Sequence, residues 1–443
     1  MLQVTYRGPP GTEINVLEDA NFVFDNDEQG KRTLERLKKY TERSEVRMDV
    51  IQVLVLLSIG YIAMTIDRKQ KNFPLPVFLT AIGFDLSFLP FFSTISVSKE
   101  VIYDIFLPGL LFVSAYHYSA KSLKKHAVII GTLSTVGLLA TAIILGVVIY
   151  WISSPLINLS LVGALLIASI LTPTDPVSVV SILEKSLDDP SVSEIVDGES
   201  MINNGTSVVL FTVLLTMFTE QQDFIFWSFV GKFFSVSIGG IGTCLAAGWL
   251  ISKAIHISAE RENQVLLSIV IAYGAFHLAE ALGFSGVLAT VAAGIMLSAE
   301  LERTSREEEY RGSLNGFWEV AEPALLSVLF LVIGMTATGY LMPYTNWLLA
   351  TGIFVISLLI RFAVISGTMQ IFSGYRKLLD FKKATLLSWA GIRGTMSIFL
   401  LLSLADSADE QANMLVSLGF AVVFLSLVVQ SIGIYPLSKL LTK

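Results

Sequence analysis

Residues 171–176 read Leu-Thr-Pro-Thr-Asp-Pro inside an otherwise apolar stretch, and Asp175 is the group there that can bind a cation or a proton. Pro173 and Pro176 each lack a backbone N–H, and each disfavours helix at the residue before it. A helix entering this stretch therefore breaks around Thr174 and Asp175. A carboxylate at membrane depth costs about 2.5–3.5 kcal/mol on insertion scales, so Asp175 needs a local reason to be there. A broken helix supplies one, because its freed carbonyls and half-helix ends form cation and proton sites near the midplane. The plainer alternative is a proline kink with Asp175 capping the second half-helix.

A second polar patch lies at 198–207, which reads Gly-Glu-Ser-Met-Ile-Asn-Asn-Gly-Thr-Ser. Ser200, Asn203, Asn204 and Ser207 recur at helical spacing and so share one face. In a membrane helix such a face turns into the bundle. Glu199 beside it is a second buried acid. Two basic residues in later apolar runs could neutralise it: Arg361 in Leu-Leu-Ile-Arg-Phe, and Arg393 in Gly-Ile-Arg-Gly. Such a pair reads first as a structural bridge that holds helix register.

The elements that must position these residues are membrane spans. Of the 443 residues 53% are hydrophobic and only 15% charged, with a mean hydropathy of +0.68. A water-soluble domain carries about 25% charged residues. About thirteen apolar runs of membrane length recur between residues 49 and 438, among them 126–152, 157–183, 192–218, 323–340, 346–373 and 383–405. Lys and Arg concentrate in the loops after odd-numbered runs, and the alternate loops hold only Lys99. This predicts a multi-pass protein of the cell membrane with its C-terminus in the cytoplasm. Thirteen crossings would set residues 1–47 outside, against the basic character of their second half. Residues 1–47 read as a polar N-terminal extension with one short amphipathic helix in Lys31–Arg47, ahead of a transmembrane domain over 48–443.

Several functions are disfavoured. No basic stripe with interleaved aromatics suggests nucleic acid. One cysteine, Cys244, excludes a disulfide framework. Gly283-Phe-Ser-Gly286 has the pattern of an intramembrane serine protease. All four histidines (His117, His126, His256 and His277) precede Ser285, however, so the segment reads as a tight turn. His277 and Glu280 read as interfacial polar residues. Arg303–Tyr310 reads as a polar cytoplasmic linker. No zinc-protease, nucleotide-binding or Asp-rich prenyl-diphosphate motif is present, so a transporter is expected rather than an enzyme, with no cofactor.

Phe-Leu-Pro-Gly-Leu-Leu-Phe (106–112), Thr-Asp-Pro (174–176), Gly-Glu-Ser (198–200) with Asn-Asn-Gly, and Gly-Ile-Arg-Gly (391–394) resemble, in order and spacing, the NhaP/NHE-type sodium/proton antiporters of the cation–proton antiporter superfamily. The resemblance covers roughly residues 49–440. It implies an all-α membrane fold with inverted repeats and two crossed discontinuous helices, a homodimer, and alternating access. The implied activity is exchange of Na⁺ (or Li⁺, K⁺) for H⁺, in the service of pH homeostasis. It implies an ion site of Thr174, Asp175, Ser200, Asn203 and Asn204, with Asp175, Thr174 and Ser200 on Na⁺. It also implies a Glu199–Arg361 pair, with Arg393 near the helix crossing. Two positions depart from the family pattern. Asn204 stands where the family usually has the aspartate that alternately holds cation and proton, and Val113 stands where it usually has a glutamate. Asn204 cannot titrate. Asp175 is then the central acid of a divergent exchanger, or the chain keeps the antiporter fold without coupled exchange. Asp197, two turns from Asn204, is not expected to replace the missing acid.

Overall fold

The computed structural model describes residues 4–7, 13–16, 50–67, 75–92, 99–157, 159–175, 191–220, 226–254, 260–304, 307–342, 347–371, 381–405 and 410–441. The chain divides into two units, Met1–Arg47 and Met48–Lys443. In the first, β1 (Val4–Arg7) pairs antiparallel with β2 (Glu13–Val16). In register, Val4 lies opposite Val16, Thr5 opposite Asn15, Tyr6 opposite Ile14 and Arg7 opposite Glu13. The sequence reading of a polar extension with one short amphipathic helix did not include this hairpin, and the helix expected over Lys31–Arg47 lies outside the described residues.

Among the described residues, every regular element of the second unit is a helix. In chain order its helices are α1 (Val50–Asp67), α2 (Leu75–Leu86), α3 (99–117), α4 (120–157), α5 (Leu161–Ile170), α6 (Ser191–Thr219) and α7 (Phe226–Ala254). Then follow α8 (Arg261–Ala281), α9 (Gly286–Leu301), α10 (Glu307–Leu341), α11 (Trp347–Ile371), α12a (Phe381–Trp389), α12b (Thr395–Ala405) and α13 (410–441). Among the described residues, six helices are long and apolar enough to cross a membrane. Burial separates their roles: 67% of the apolar window of α6 is buried, against 28% for α11. The helix with the polar face thus runs through the interior, and α11 sends most of its surface outward.

Two helices start earlier than the apolar runs suggest. α4 begins at Ala120 because Ser119 caps it, its Oγ accepting from the N–H groups of Lys121 and Ser122. α10 begins at Glu307, which corrects the linker reading of Arg303–Tyr310 for its second half. Glu307, Glu308 and Glu309 form an acidic first turn that complements the helix dipole, and Arg311 Nε donates to Glu307 Oε1 at 2.7 Å one turn on. The polar start is helix because local electrostatics favour it, not because lipid surrounds it.

Three helices contain π turns: α3 at Ile102–Phe106, α4 at Leu133–Gly137 and α13 at Ser426–Gln430. A π turn loosens the regular ladder and leaves carbonyls available to outside donors. In each of the three, a carbonyl within the turn accepts from a neighbouring helix. Tyr273 Oη donates to Ile105 O at 2.8 Å, Thr206 Oγ1 to Ser134 O at 2.7 Å, and Trp389 Nε1 to Gln430 O at 2.9 Å. The second and third tie α6 and α12a, which flank the polar centre, to α4 and α13.

Candidate functional site

α5 ends at Ile170, and residues 173–175 are non-helical. α12 is interrupted as well: residues 391–394 are non-helical between α12a and α12b. The two interruptions meet. Asp175 N donates to Ile392 O at 2.7 Å, so a backbone donor freed in one interruption satisfies a carbonyl freed in the other. The Asp175 carboxylate lies at the N-terminus of α12b, where Oδ2 is 3.4 Å from both Thr395 N and Thr395 Oγ1. A helix N-terminus favours negative charge. The approach is close enough that a Cβ at Gly394 would overlap Asp175, and one at Gly391 would overlap Arg361. Both positions require glycine for this packing.

α6 supplies the other wall. Ser200 Oγ donates to Thr174 O, and Asn203 Nδ2 donates to Thr174 Oγ1 at 2.9 Å. The same Asn203 amide donates to Glu199 Oε1 at 3.1 Å. Glu199 is gripped by Arg361, with Nη2 to Oε2 at 2.7 Å and Nη1 to Oε1 at 3.2 Å. Glu199 and Arg361 are only 5% and 8% exposed, so this is a desolvated, bidentate pair. A small cavity between α4 and α11 reaches it, with Thr172, Glu199, Asn203 and Arg361 on its polar side.

Arg393 is placed differently. It is buried within the interruption of α12, and its guanidinium donates to Leu171 O at 3.0 Å, Ser357 Oγ at 2.9 Å and Gln430 Oε1 at 3.2 Å. Its own N–H donates to Ser426 Oγ at 2.9 Å. The cation therefore sits on the carbonyl end of α5, where the helix dipole is negative. It forms no ion pair with a carboxylate among the described residues.

Thr174, Asp175, Glu199, Ser200, Asn203, Arg361 and Arg393 thus gather at one crossing. Asn204 does not join the hydrogen-bonded set: its Oδ1 is buried and has no hydrogen-bond partner among the described residues. Ser207 turns back on its own helix and donates to Asn203 O at 2.7 Å. Asp197 acts electrostatically on Tyr118 and lies two turns before Asn204 on α6. Ser285 caps α9, accepting from Leu288 N, next to Gly283 at φ +77°. The Gly283–Gly286 pattern is therefore a turn. Glu280 accepts from Gly286 N at 2.7 Å and braces that turn. Among the described residues no group of three or more His, Cys, Asp or Glu could hold a metal ion. Thr395, Ser357, Ser426 and Gln430 escaped the sequence reading. As single small or amide residues in apolar runs, they carry no pattern that marks them.

Two crossed, interrupted helices with a buried carboxylate, a paired acid and two buried arginines define a polytopic membrane protein of the ion-transporter class. The signature of the family described as sodium/hydrogen exchanger, transmembrane, matches residues 53–440, and the chain belongs to this family. It is 30% identical over 406 residues to a Na⁺/H⁺ antiporter of Halobacillus aidingensis, covering 88% of this chain and 97% of that one. It is 29% identical over 395 residues to a Na⁺/H⁺ antiporter of Aphanothece halophytica, covering 87% and 74%. The fold is that of the sodium proton antiporter solved from Methanocaldococcus jannaschii, with a TM-score of 0.71 at 20% identity over 88% of this chain and 97% of that chain.

Proposed function

We propose that this protein is a secondary-active antiporter that exchanges Na⁺ (or Li⁺, K⁺) for H⁺ by alternating access, with Asp175 as the central ion-coupled acid. The observation that carries the reading is the position of the Asp175 carboxylate at the contact of two helix interruptions, while Arg361 is bidentate on Glu199 and Arg393 is spent on Leu171, Ser357 and Gln430. A carboxylate at membrane depth is neutralised by a proton or by a bound cation, and the two compete for the same charge. Thr174, Ser200, Asn203 and Asn204 add the hydroxyl and amide oxygens that a hard monovalent cation prefers. Glu199 and Arg361 are structural in this reading: they fix Asn203, which fixes Thr174. The homodimer, the thirteen crossings, a place in the cell membrane with a cytoplasmic C-terminus, and a role in pH homeostasis belong to the same proposal.

Asn204 favours a second reading, an antiporter-fold protein without coupled exchange, because the amide offers an oxygen to a cation but no proton to release. Reconstituted protein distinguishes the two. Under the first reading, a Na⁺ or Li⁺ pulse drives a pH change inside proteoliposomes, and Asp175→Asn abolishes it while the protein still folds and inserts. Native exchange in Asp175→Asn would remove Asp175 from the mechanism, and a silent native protein would support the second reading.

A further inference from the structure

We propose that Thr395, the first residue of α12b, is a cation ligand, its hydroxyl oxygen holding Na⁺ together with the Asp175 carboxylate. This role rests on Asp175 being the ion-coupled acid.

Asp175 is only 9% exposed, so a cation that reaches its carboxylate sheds most of its water and takes protein oxygens in exchange. Gly394 brings the start of α12b onto that carboxylate, since a Cβ there would overlap Asp175. The next residue is Thr395, whose Oγ1 lies 3.4 Å from Asp175 Oδ2. A well-formed O–H···O hydrogen bond closes to about 2.5–3.0 Å, so these two oxygens stand off from one another. Their spacing is one that an ion needs. Hard cations of the size of Na⁺ or Ca²⁺ take oxygens at about 2.4 Å, and two such oxygens at right angles about the ion lie about 3.4 Å apart.

The hydroxyl is available for this role. Among the described residues Thr395 Oγ1 makes no hydrogen bond besides its long contact with Asp175. Thr174 Oγ1, by contrast, already accepts from Asn203 Nδ2, and Ser200 Oγ already donates to Thr174 O. The two buried arginines do not take the place of a cation here. Arg361 is bidentate on Glu199, and Arg393 donates to Leu171 O, Ser357 Oγ and Gln430 Oε1. A hydroxyl carries one donor and two lone pairs, so it serves every state of the acid. It donates to a bare carboxylate, accepts from a protonated one, and turns a lone pair to a bound cation. The Thr395 N–H, also 3.4 Å from Oδ2, can only donate.

The test uses the full chain. Initial rates in proteoliposomes are measured over a series of Na⁺ concentrations at several pH values, and binding of radioactive Na⁺ is measured on detergent-purified protein. Thr395→Val removes the hydroxyl at nearly constant volume. It should raise the half-saturating Na⁺ concentration and weaken Na⁺ binding about three- to tenfold, the scale of one lost polar contact, with the maximal rate within about twofold. Thr395→Ala, a second variant without the oxygen, should do the same, and Thr395→Ser should restore most of the affinity. The deficit should persist at alkaline pH, where half-saturation no longer changes with pH because protons have ceased to compete. A deficit that vanishes there would show that Thr395 acts on the proton alone, and would overturn the assignment. A lower maximal rate and melting temperature with native half-saturation would make the role structural, and would overturn it too. Native half-saturation and native binding in both Thr395→Val and Thr395→Ala, with exchange still lost in Asp175→Asn, would remove Thr395 and keep Asp175. Native exchange in Asp175→Asn would overturn both. The binding measurement needs no turnover, so it decides the role of Thr395 even in a protein that exchanges slowly.

Discussion

Arg361 grips Glu199 through both Nη atoms, at 3.2 and 2.7 Å, and the same carboxylate accepts the Asn203 amide at 3.1 Å. The amide goes on to Thr174 Oγ1, so an ion pair between α6 and α11 sets the conformation of the chain at Asp175.

Breaking that pair from one side strands a buried charge. Glu199→Gln and Arg361→Gln should each destabilise the protein by about 3–5 kcal/mol, and the double replacement by less than the sum of the two. Melting temperatures of the three variants in one detergent measure this. Strictly additive losses would show that the contact carries no coupling energy.

Gly394→Ala tests the close approach at the crossing. The new Cβ would overlap the Asp175 side chain, whose backbone is held by Ile392. The side chain must move, and a displacement of about 1 Å from a working geometry costs up to roughly 100-fold in rate. Exchange should fall at least about tenfold while the family fold persists by size exclusion and circular dichroism. Exchange at the native rate would mean that Asp175 can shift freely without consequence.

Asn204→Asp puts an acid on α6 one residue after Asn203, which bonds Thr174. Asn204 Oδ1 is buried and without a hydrogen-bond partner among the described residues, so the substitution breaks no hydrogen bond that the structure shows. A second carboxylate near Asp175 disfavours joint ionisation and raises the pKa of one of them toward the working range. Cation-driven proton exchange near pH ~7 should rise severalfold, with tighter Na⁺ or Li⁺ binding. A dye-reported assay with native protein and Asp175→Asn as controls reads the outcome. A slower variant of an already active protein would show that its coupling differs from this scheme.

The break in α5 is legible in the sequence because its cause is covalent. Pro173 and Pro176 remove donors and clash with helix whatever surrounds them. The polar face of α6 is legible for a similar reason, since helical periodicity alone aligns Ser200, Asn203 and Asn204. The apolar runs, too, announce their solvent through composition. The break in α12 has no such local cause. Gly391 and Gly394 permit it, but it is held open by contacts from elsewhere in the chain: Asp175 N on Ile392 O, and Arg393 on Leu171, Ser357 and Gln430. Only the resemblance to a known family led to it in advance. The partner of Glu199 was open between two arginines because charge type identifies a candidate but not a distance. Packing α6 against α11 decided for Arg361, and the carbonyl end of α5 took Arg393. The start of α10 shows the opposite limit. A hydropathy boundary sees only the residues near it, and so stops at Pro323. The helix continues through polar residues because its acidic first turn suits the dipole and its Trp318 packs against α3. Local chemistry determined where α5 breaks and which face of α6 is polar. Which charges meet was decided by helices far apart in sequence, since a buried charge is stable only where the fold brings it a partner.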